Sequence, residues 1–326
     1  MPPRPPAVAR VLERVTATSR EHGMFAPGDL VMVMLSGGPD STCLLHSLHL
    51  LRRLLKIRLT AVHLDHRLRP DSGKDAAYAK RQAEALKVPF VLRTATAAPK
   101  RGESVEAWAR TVRYAAATDA AREAGAARVA VGHTLDDQAE TVLIQLVRGA
   151  GPEAIAGMRP AGKLIVRPLF DVRRNEVLAF CRALRLRPRR DPTNADTGYL
   201  RNAIRLEGLP ALERATGRDV RGPIARSARL LQQDLDRFGP AVQAATHAWE
   251  RTDDGCLLFL QRFPDEAFHA RLVASVLREL GGPVTEKAIA AVLDLDEGRP
   301  GRRRDLGGGL LAVREREYIR IARTSP

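Results

Sequence analysis

The chain has 326 residues, of which 44% are hydrophobic, and a formal net charge of +15. This length allows two domains with separate hydrophobic cores. A basic excess of this size favours a polyanionic partner, with nucleic acid first. No apolar run has the length of a membrane-spanning helix, and Met1–Pro6 has no apolar segment typical of a secretory signal. We therefore expect a cytoplasmic protein with no membrane partner.

The three cysteines are far apart in the sequence and form no C-x-x-C pair; they are Cys43, Cys181 and Cys256. This usage is typical of a reducing compartment. It argues against a cysteine-ligated zinc or iron–sulfur site.

A glycine-rich turn lies between a predicted strand and a predicted helix. Leu30–Leu35 is an uninterrupted apolar run, which predicts a buried strand, and leucines recur at helical spacing from Thr42 to Leu51. The turn between them contains Ser36, Gly37, Gly38, Pro39, Asp40 and Ser41. Its glycines let a ligand approach the backbone closely, and the helix N-terminus favours an anion. The turn therefore predicts a phosphate-binding loop.

An acidic residue inside this turn indicates what kind of loop it is. A Walker-type loop needs a lysine at the start of the helix, but the first lysine of the chain is Lys56, and G-x-G-x-x-G is absent as well. Mg²⁺ is commonly held by one or two carboxylates together with phosphate oxygens. We therefore predict that Asp40 binds Mg²⁺ beside phosphate groups. The alternative is an ordinary glycine-rich turn with a capping Asp or Ser.

Short apolar runs alternate with helical patterns through the first two thirds of the chain. The pattern predicts helices over 8–22, 75–86, 104–123, 135–147 and 172–186, and strands over 58–64, 89–93, 128–131 and 164–170. Such alternation is typical of a parallel sheet with helices on both faces and ligands at the carboxyl ends of the strands. The segment 187–202 is predicted to be an ordered loop.

A second domain is predicted after glycine and proline residues interrupt the pattern near 215–223. We place the domains at 1–215 and 216–326. Within the second, helices are predicted over 224–250, 265–280 and 285–294, and a hairpin over 310–321. The run Arg302–Arg304 is expected to be a solvated turn, with an RNA contact as the alternative.

The segment Gly132–Thr141 follows the fourth predicted strand and carries a second group of polar residues. Thr134 and Asp137 have the spacing of a capping box, so a helix should begin here. Asp137 and Glu140 share one face of that helix, and with His133 they could bind a metal, a cationic amine or both. The alternative is that the acidic residues only favour the helix dipole.

Basic residues and one histidine complete the candidate site. His63 lies at the end of the second predicted strand and is expected near a nucleotide, with Arg67 or Arg69 near phosphate. Glu106, Arg110 and Arg113 share one helix face, as a surface ion pair or as part of a basic site. Arg201 and Arg205 can together present a double basic edge to RNA phosphate.

These motifs together resemble the tRNA(Ile)-lysidine synthetase family. SGGPDS resembles the PP-loop of ATP pyrophosphatases, and the similarity covers residues 29–205 through HLDHRLR, ExxARxxRY, GHTLDDQAETVLIQLVRGAG, RPLF and DPTN followed by RNxIR. The resemblance implies an α/β fold: a parallel-sheet adenine-nucleotide α-hydrolase-like PP-loop domain, followed by a smaller α+β domain that binds tRNA. The chain looks shorter than family members with a larger C-terminal extension.

The resemblance also implies a reaction. ATP, with Mg²⁺, adenylates carbon 2 of the wobble cytidine in isoleucine tRNA with a CAU anticodon, and L-lysine then displaces AMP. It implies catalytic roles for Asp40, His133 and Asp137, with Asp40 holding the metal. The loop 36–41 and His63 would bind ATP. The expected contacts to lysine and tRNA are Arg113, Asp137, Glu140, Arg201 and Arg205.

Three other functions remain open at this stage, and the oligomeric state is not fixed, with a homodimer as one option. A PP-loop tRNA thiolase would need a persulfide cysteine or an iron–sulfur cluster, against which the isolated cysteines count. An ATP-dependent synthetase acting on small molecules would not need the basic excess. An RNA-binding module without activity would not need Asp40.

Overall fold

A computed structural model describes residues 4–67, 72–95, 99, 105–189, 196–244, 249–262 and 266–324. For 105–107, 238–244 and 266–267 it describes the backbone only. The helices are α1 (Pro6–Glu21), α2 (Pro39–Leu51), α3 (Ser72–Ala85), α4 (Val105–Ala124), α5 (Leu135–Val147), α6 (Pro152–Ile155), α7 (Arg174–Ala183), α8 (Leu200–Ala203), α9 (Leu209–Thr216), α10 (Arg221–Ala244), α11 (Glu266–Glu279) and α12 (Glu286–Asp296). The strands are β1 (Leu30–Met34), β2 (Arg58–Asp65), β3 (Phe90–Thr94), β4 (Arg128–Ala130), β5 (Ile165–Val166), β6 (Trp249–Arg251), β7 (Gly255–Leu258), β8 (Arg303–Gly307), β9 (Leu310–Arg314) and β10 (Ile319–Arg323).

The chain divides into two compact units. The first contains residues 1–150 and 154–228, and the second contains 151–153 and 229–326. The division falls inside α10, whereas the sequence placed the boundary at 215/216. Gly222 and Pro223 do not interrupt this helix, because they lie in its first turn, where proline is tolerated.

The first unit is built on a five-stranded sheet of order β3-β2-β1-β4-β5. Every strand pair is parallel. Alternate residues of β1 lie in different clusters: Val31 and Val33 pack with residues of α1, α2 and α7, and Met32 packs with residues of α4. The predicted parallel sheet with helices on both faces is therefore confirmed. The strand order reverses direction between β1 and β4, and ligands bind at such a point in open α/β sheets.

Two element boundaries in this unit differ from the predictions. Strand β5 contains only Ile165 and Val166 of the predicted 164–170, because Pro168 cannot donate a backbone hydrogen bond to a neighbouring strand. The predicted loop 187–202 ends in α8, and Ile204–Gly208 forms a turn of π-helix that the sequence did not suggest. Ser104, the predicted N-cap of α4, lies outside the described residues.

The second unit is a five-stranded antiparallel sheet of order β6-β7-β10-β9-β8, with α11 and α12 packed on it. The predicted hairpin over 310–321 is confirmed as β9 and β10. The prediction of a turn at Arg302–Arg304 was wrong, because Arg303 begins β8. Charged side chains are common on such edge strands, where they discourage pairing with other chains. Among the described residues, no helix is long and apolar enough to span a membrane.

Candidate active site

The turn after β1 is closed on itself by the Ser41 hydroxyl. This hydroxyl lies 3.0 Å from Ser36 Oγ, accepts from the Gly37 N–H at 3.2 Å, and donates to the Gly38 carbonyl at 3.1 Å. Gly37 has φ of +91°, a conformation that only glycine adopts without strain. Gly38 is the N-cap of α2 and makes no side-chain capping bond. The start of α2 therefore remains suited to an anion.

Asp40, in the first turn of α2, carries an unsatisfied acceptor. Its Oδ1 is buried and has no hydrogen-bond partner among the described residues. Burial, and next the negative charge of Asp137, raise the pKa of Asp40 to about 7. A buried carboxylate oxygen without a donor is costly unless a cation or a proton meets it. This oxygen therefore fits a ligand of Mg²⁺, although the described residues contain no cluster of three or more acidic, His or Cys side chains that could hold a metal alone.

Gly132 lets the end of β4 approach the start of α2. A Cβ atom on Gly132 would lie 3.1 Å from the Asp40 carbonyl carbon and from the Ser41 nitrogen. These are backbone atoms, so they cannot move aside cheaply. The contact brings the helix start after β4 next to the turn after β1.

The predicted capping box at the start of α5 is confirmed. Asp137 Oδ2 accepts from the Thr134 N–H at 2.8 Å and from the Thr134 hydroxyl at 2.9 Å, and the Asp137 N–H donates to Thr134 Oγ1 at 3.3 Å. The other oxygen, Oδ1, lies 3.3 Å from Arg201 Nη2. Burial would raise the pKa of Asp137, but Arg201 and the Thr134 hydrogen bonds outweigh it and lower that pKa. Asp137 is therefore ionised.

Glu140 lies one turn further along α5 and its side chain is fully buried. Its Oε2 accepts from Arg201 Nε at 2.9 Å, and its Oε1 accepts from Arg205 Nε at 2.7 Å. Arg205 Nη2 also reaches Oε2 at 3.2 Å. Glu140 thus neutralises part of the charge of the arginine pair that the sequence assigned to RNA phosphate. Its predicted contact with lysine stays a prediction.

Asp136 has a structural role that the sequence left undecided. Its Oδ2 accepts from the backbone N–H of Arg174, the first residue of α7, at 2.8 Å. Its Oδ1 lies 3.4 Å from Nη1 of Arg221, the first residue of α10. One buried carboxylate therefore ties the starts of three helices together, and it favours their dipoles as well.

His133 is held in its neutral form. Arg167 Nε donates to His133 Nδ1 at 3.1 Å. Burial, with Arg167 next among the groups that lower it, brings the pKa of His133 to about 3, although Asp137 opposes this. Since Nδ1 accepts a hydrogen bond, the ring proton is on Nε2. Arg167 belongs to the RPLF segment, and its position after β5 was the only signal in the sequence for this contact.

His63 is neutral too, but in the opposite tautomer. Its Nδ1 lies 2.7 Å from the Leu35 carbonyl, which can only accept, so Nδ1 carries the proton and Nε2 is an acceptor. Burial lowers the pKa of His63. Arg113 also lowers this pKa, so its guanidinium lies close enough to His63 for its charge to be felt there.

Arg189 holds the turn after β1 through a contact that is distant in sequence. Its backbone N–H donates to the Gly37 carbonyl at 2.9 Å, and its Nε donates to Asp75 Oδ1 at 2.8 Å. Sequence reasoning missed this residue, because nothing near Arg189 predicts a contact with a segment 150 positions earlier. Arg69, the DPTN segment and the Glu106 side chain lie outside the described residues.

The chain is similar to known proteins in sequence and in fold. A model of the PP-loop domain family matches residues 9–212. The tRNA(Ile)-lysidine synthase of Leifsonia xyli is 40% identical over 73% of this chain and 71% of its own length. The chain belongs to the tRNA(Ile)-lysidine synthase family of PP-loop proteins. The resemblance to this family that the sequence motifs indicate is thereby confirmed.

Two other relatives in this family are longer than the chain. The tRNA(Ile)-lysidine synthase of Symbiobacterium thermophilum is 43% identical over 86% of the chain, and that of Dehalococcoides mccartyi is 36% identical over 90%. The chain spans 62% and 66% of their lengths, respectively.

A solved structure supports the PP-loop fold. The U34-tRNA thiolase NcsA from Methanococcus maripaludis superimposes with a TM-score of 0.60, at 18% identity, over 69% of this chain and 79% of that chain. At this identity the similarity concerns the fold only.

Proposed function

We propose that the chain is a tRNA(Ile)-lysidine synthase, a ligase that forms a carbon–nitrogen bond. The carbonyl oxygen at carbon 2 of the wobble cytidine attacks the α-phosphorus of ATP and releases pyrophosphate. The ε-amine of L-lysine then attacks carbon 2, loses a proton and expels AMP. Family membership supports this activity, and tRNA as substrate suits a cytoplasmic enzyme. The observation that carries the proposal is the buried, unpartnered Oδ1 of Asp40 at a helix start suited to an anion.

In the first step, the turn 36–41 holds the pyrophosphate part of ATP. Its role follows from the glycine backbone and from the uncapped N-terminus of α2. Mg²⁺, when bound, would neutralise charge that develops on the leaving pyrophosphate. Asp40 would hold it, together with phosphate oxygens. His63 offers Nε2 as an acceptor to the nucleotide.

In the second step, the lysine amine must be held close to carbon 2. Asp137 suits a cationic amine because it is ionised and because its Oδ1 has only a long contact, at 3.3 Å, to Arg201. Glu140 can reach the amine only if Arg201 or Arg205 leaves its carboxylate. His133 presents Nε2–H as a hydrogen-bond donor near the adenylated cytidine. Because its pKa is about 3, it does not donate a proton at neutral pH. Arg113, Arg201 and Arg205 are the candidates for phosphate contacts.

The decisive assay measures the modified nucleoside. Isoleucine tRNA with a CAU anticodon is incubated with protein, ATP, Mg²⁺ and L-lysine, and the digested nucleosides are weighed by mass spectrometry. We expect the cytidine mass to increase by one lysine minus one water, with AMP and pyrophosphate as the other products. Formation of ADP, or an unchanged cytidine, would refute the proposal.

The residue assignment needs a separate measurement. Asp137→Ala should lower lysine affinity, whereas Asp119→Ala removes a surface carboxylate that is paired with Arg122 within α4 and should not. Equal lysine affinity in both variants would refute the role of Asp137.

The thiolase alternative is the weaker one. The two cysteines of the first unit, Cys43 and Cys181, are buried in its core. Burial raises the pKa of Cys181 to about 12 and raises that of Cys43 well above its ordinary value. Such thiols are poor nucleophiles and poor metal ligands. If the triple variant Cys43→Ala/Cys181→Ala/Cys256→Ala modifies tRNA as fast as the wild type, a thiolase is excluded.

A further inference from the structure

A basic cavity lies at the end of the parallel sheet that is opposite to the candidate active site. It has a volume of about 650 Å³ and is formed where α2 leads into β2 and where α3 ends. Five cationic side chains line it: Arg52, Arg53, Lys56, Arg58 and Lys87. Among the described residues, no acidic side chain lines it. Because β2 begins at Arg58, the cavity is at the amino ends of the strands.

These charges are not neutralised by ion pairs with the described residues. Arg52 Nη1 donates to the His49 carbonyl at the end of α2, and the other four side chains are exposed. Most charges of the candidate active site differ in this respect, since Arg201 and Arg205 share a buried carboxylate. The cavity therefore combines a concave shape with unpaired positive charge.

Neutralisation of helix dipoles accounts for only part of this charge. The carboxyl-terminal ends of α2 and α3 each carry about half a negative charge, which cations nearby would stabilise. Five cations facing two such ends leave an excess of about four positive charges. Helix stability alone does not need this excess.

We propose that this basic cavity binds the phosphodiester backbone of RNA. The proposal rests on the proposed function only in taking tRNA as the partner. Strand β2 has 8 residues, so the cavity lies about 25 Å from the carboxyl ends of the strands. One turn of a B-form duplex is about 34 Å long, and one turn of an A-form RNA duplex is somewhat shorter but still exceeds this distance. A single RNA stem is therefore long enough to reach both ends of the sheet.

The test compares two variants with the same change in charge. The first is Arg53→Gln/Lys56→Gln/Arg58→Gln/Lys87→Gln, which leaves Arg52 in place. The control is Arg20→Gln/Arg81→Gln/Arg182→Gln/Arg185→Gln, which removes four exposed cations outside the cavity. Arg185 has positive φ like Lys56 and Lys87, and Arg20 and Arg182 lie in last turns of helices. The two sets are thus matched in charge and exposure, and at one position in backbone conformation.

The measurement is the salt dependence of tRNA binding in the absence of ATP and lysine. Each phosphate contact contributes a slope of roughly −0.9 to log K against log salt concentration. We expect the cavity variant to lose about two to four units of this slope, and the control to lose less than about one. Melting temperatures of both variants check that each is folded. Equal slopes for the cavity variant and the wild type would overturn the proposal.

Other ligands give distinguishable outcomes. Competition by inorganic phosphate at low millimolar concentration would indicate a discrete anion site and overturn the backbone proposal. Loss of binding to phosphatidylserine vesicles, with an unchanged tRNA slope, would overturn it in favour of a membrane surface. If the wild type incorporates no lysine but the cavity variant loses slope, the proposed function fails and the RNA surface stands. Lysine incorporation with equal slopes gives the reverse conclusion.

Discussion

The start of α2, after β1, and the start of α5, after β4, lie side by side. Their carboxylates differ in whether they have partners. After β1, Asp40 keeps a buried oxygen without a partner. After β4, Asp136, Asp137 and Glu140 are all hydrogen-bonded or paired with cations. The first start leaves an acceptor unsatisfied, whereas the carboxylates of the second have partners within the protein itself.

This difference separates two uses of acidic residues at a helix N-terminus. Asp136 and Glu140 stabilise the arrangement of α5, α7, α8 and α10, so their removal should mainly change stability. Asp40 costs stability in the free protein, since burial and Asp137 oppose its ionisation. We infer that this oxygen of Asp40 is left without a partner because the protein's function requires it.

Glu140→Ala should have the largest effect on stability. It removes the shared carboxylate of two guanidinium groups, whose side chains are only 19% and 15% exposed, and leaves Arg201 with its 3.3 Å contact to Asp137. Removing one partner of a buried pair costs roughly 3–5 kcal/mol. Urea denaturation of the purified variant measures this loss. The matched control is Glu123→Ala, which breaks a surface pair with Arg93 and should cost at most about 1 kcal/mol.

A second variant separates charge from packing at the same place. Glu140→Leu/Arg201→Met/Arg205→Met replaces the cluster with apolar side chains and should recover most of the stability. It should still lose tRNA affinity if the arginines contact phosphate. A small loss of stability in Glu140→Ala would contradict the view that this helix start is completed by the protein.

Asp40→Asn should have the largest effect on activity. Loss of a group that stabilises developing charge lowers the rate by roughly 10²–10³-fold. Pyrophosphate release measures the rate, and Asp119→Asn, on the surface of α4, is the control. An Asp40→Asn enzyme with full activity would show that the unpartnered oxygen has no catalytic purpose.

The same variant gives a pH-dependent stability difference in metal-free buffer. The carboxyl of Asp40 ionises near 3.8 in the unfolded chain but near 7 in the folded one. The folded protein therefore loses stability as pH rises from about 4 to about 7. Asp40→Asn removes this loss, so its stability relative to wild type should increase over that range. A constant difference across it would contradict the burial of an unpaired carboxylate.

Local patterns predicted the helix starts, but not how their side chains are paired. The turn 36–41 and the Thr134–Asp137 cap are contiguous in sequence, and their geometry follows from local backbone rules. The contacts of Asp136 with Arg174 and Arg221 join segments that are far apart along the chain. Composition and periodicity carry no information on such contacts, so the role of Asp136 needed the structure. The strand at Arg303–Gly307 was missed for a related reason, because its side chains do not alternate in polarity.

Gly132→Ala should perturb the contact between the two helix starts. The added methyl group would lie 3.1 Å from backbone atoms of Asp40 and Ser41. Forcing a methyl group into a packed region costs roughly 1–3 kcal/mol. We expect this loss in urea denaturation, together with weaker ATP binding as the turn shifts. Gly125→Ala is not a suitable control because of its positive φ, but Gly73→Ala is, since no described atom outside its own helical turn lies within 4 Å of its Cβ position.

The smallest effect is expected for the cysteines, since Cys43 and Cys181 lie in the core of the first unit and Cys256 lies in the core of the second. Cys181 Sγ lies 3.7 Å from the Pro39 carbonyl, and all three thiols are buried. Because burial raises their pKa values, a thiol reagent at pH 8 should leave the native protein unmodified and should label 3 cysteines after denaturation. Rapid labelling of Cys43 or Cys181 in the native protein would place a reactive thiolate beside the turn that holds Asp40. That result would reopen sulfur chemistry at this helix start, because a ligand there could then be a sulfur carrier instead of a metal and phosphates.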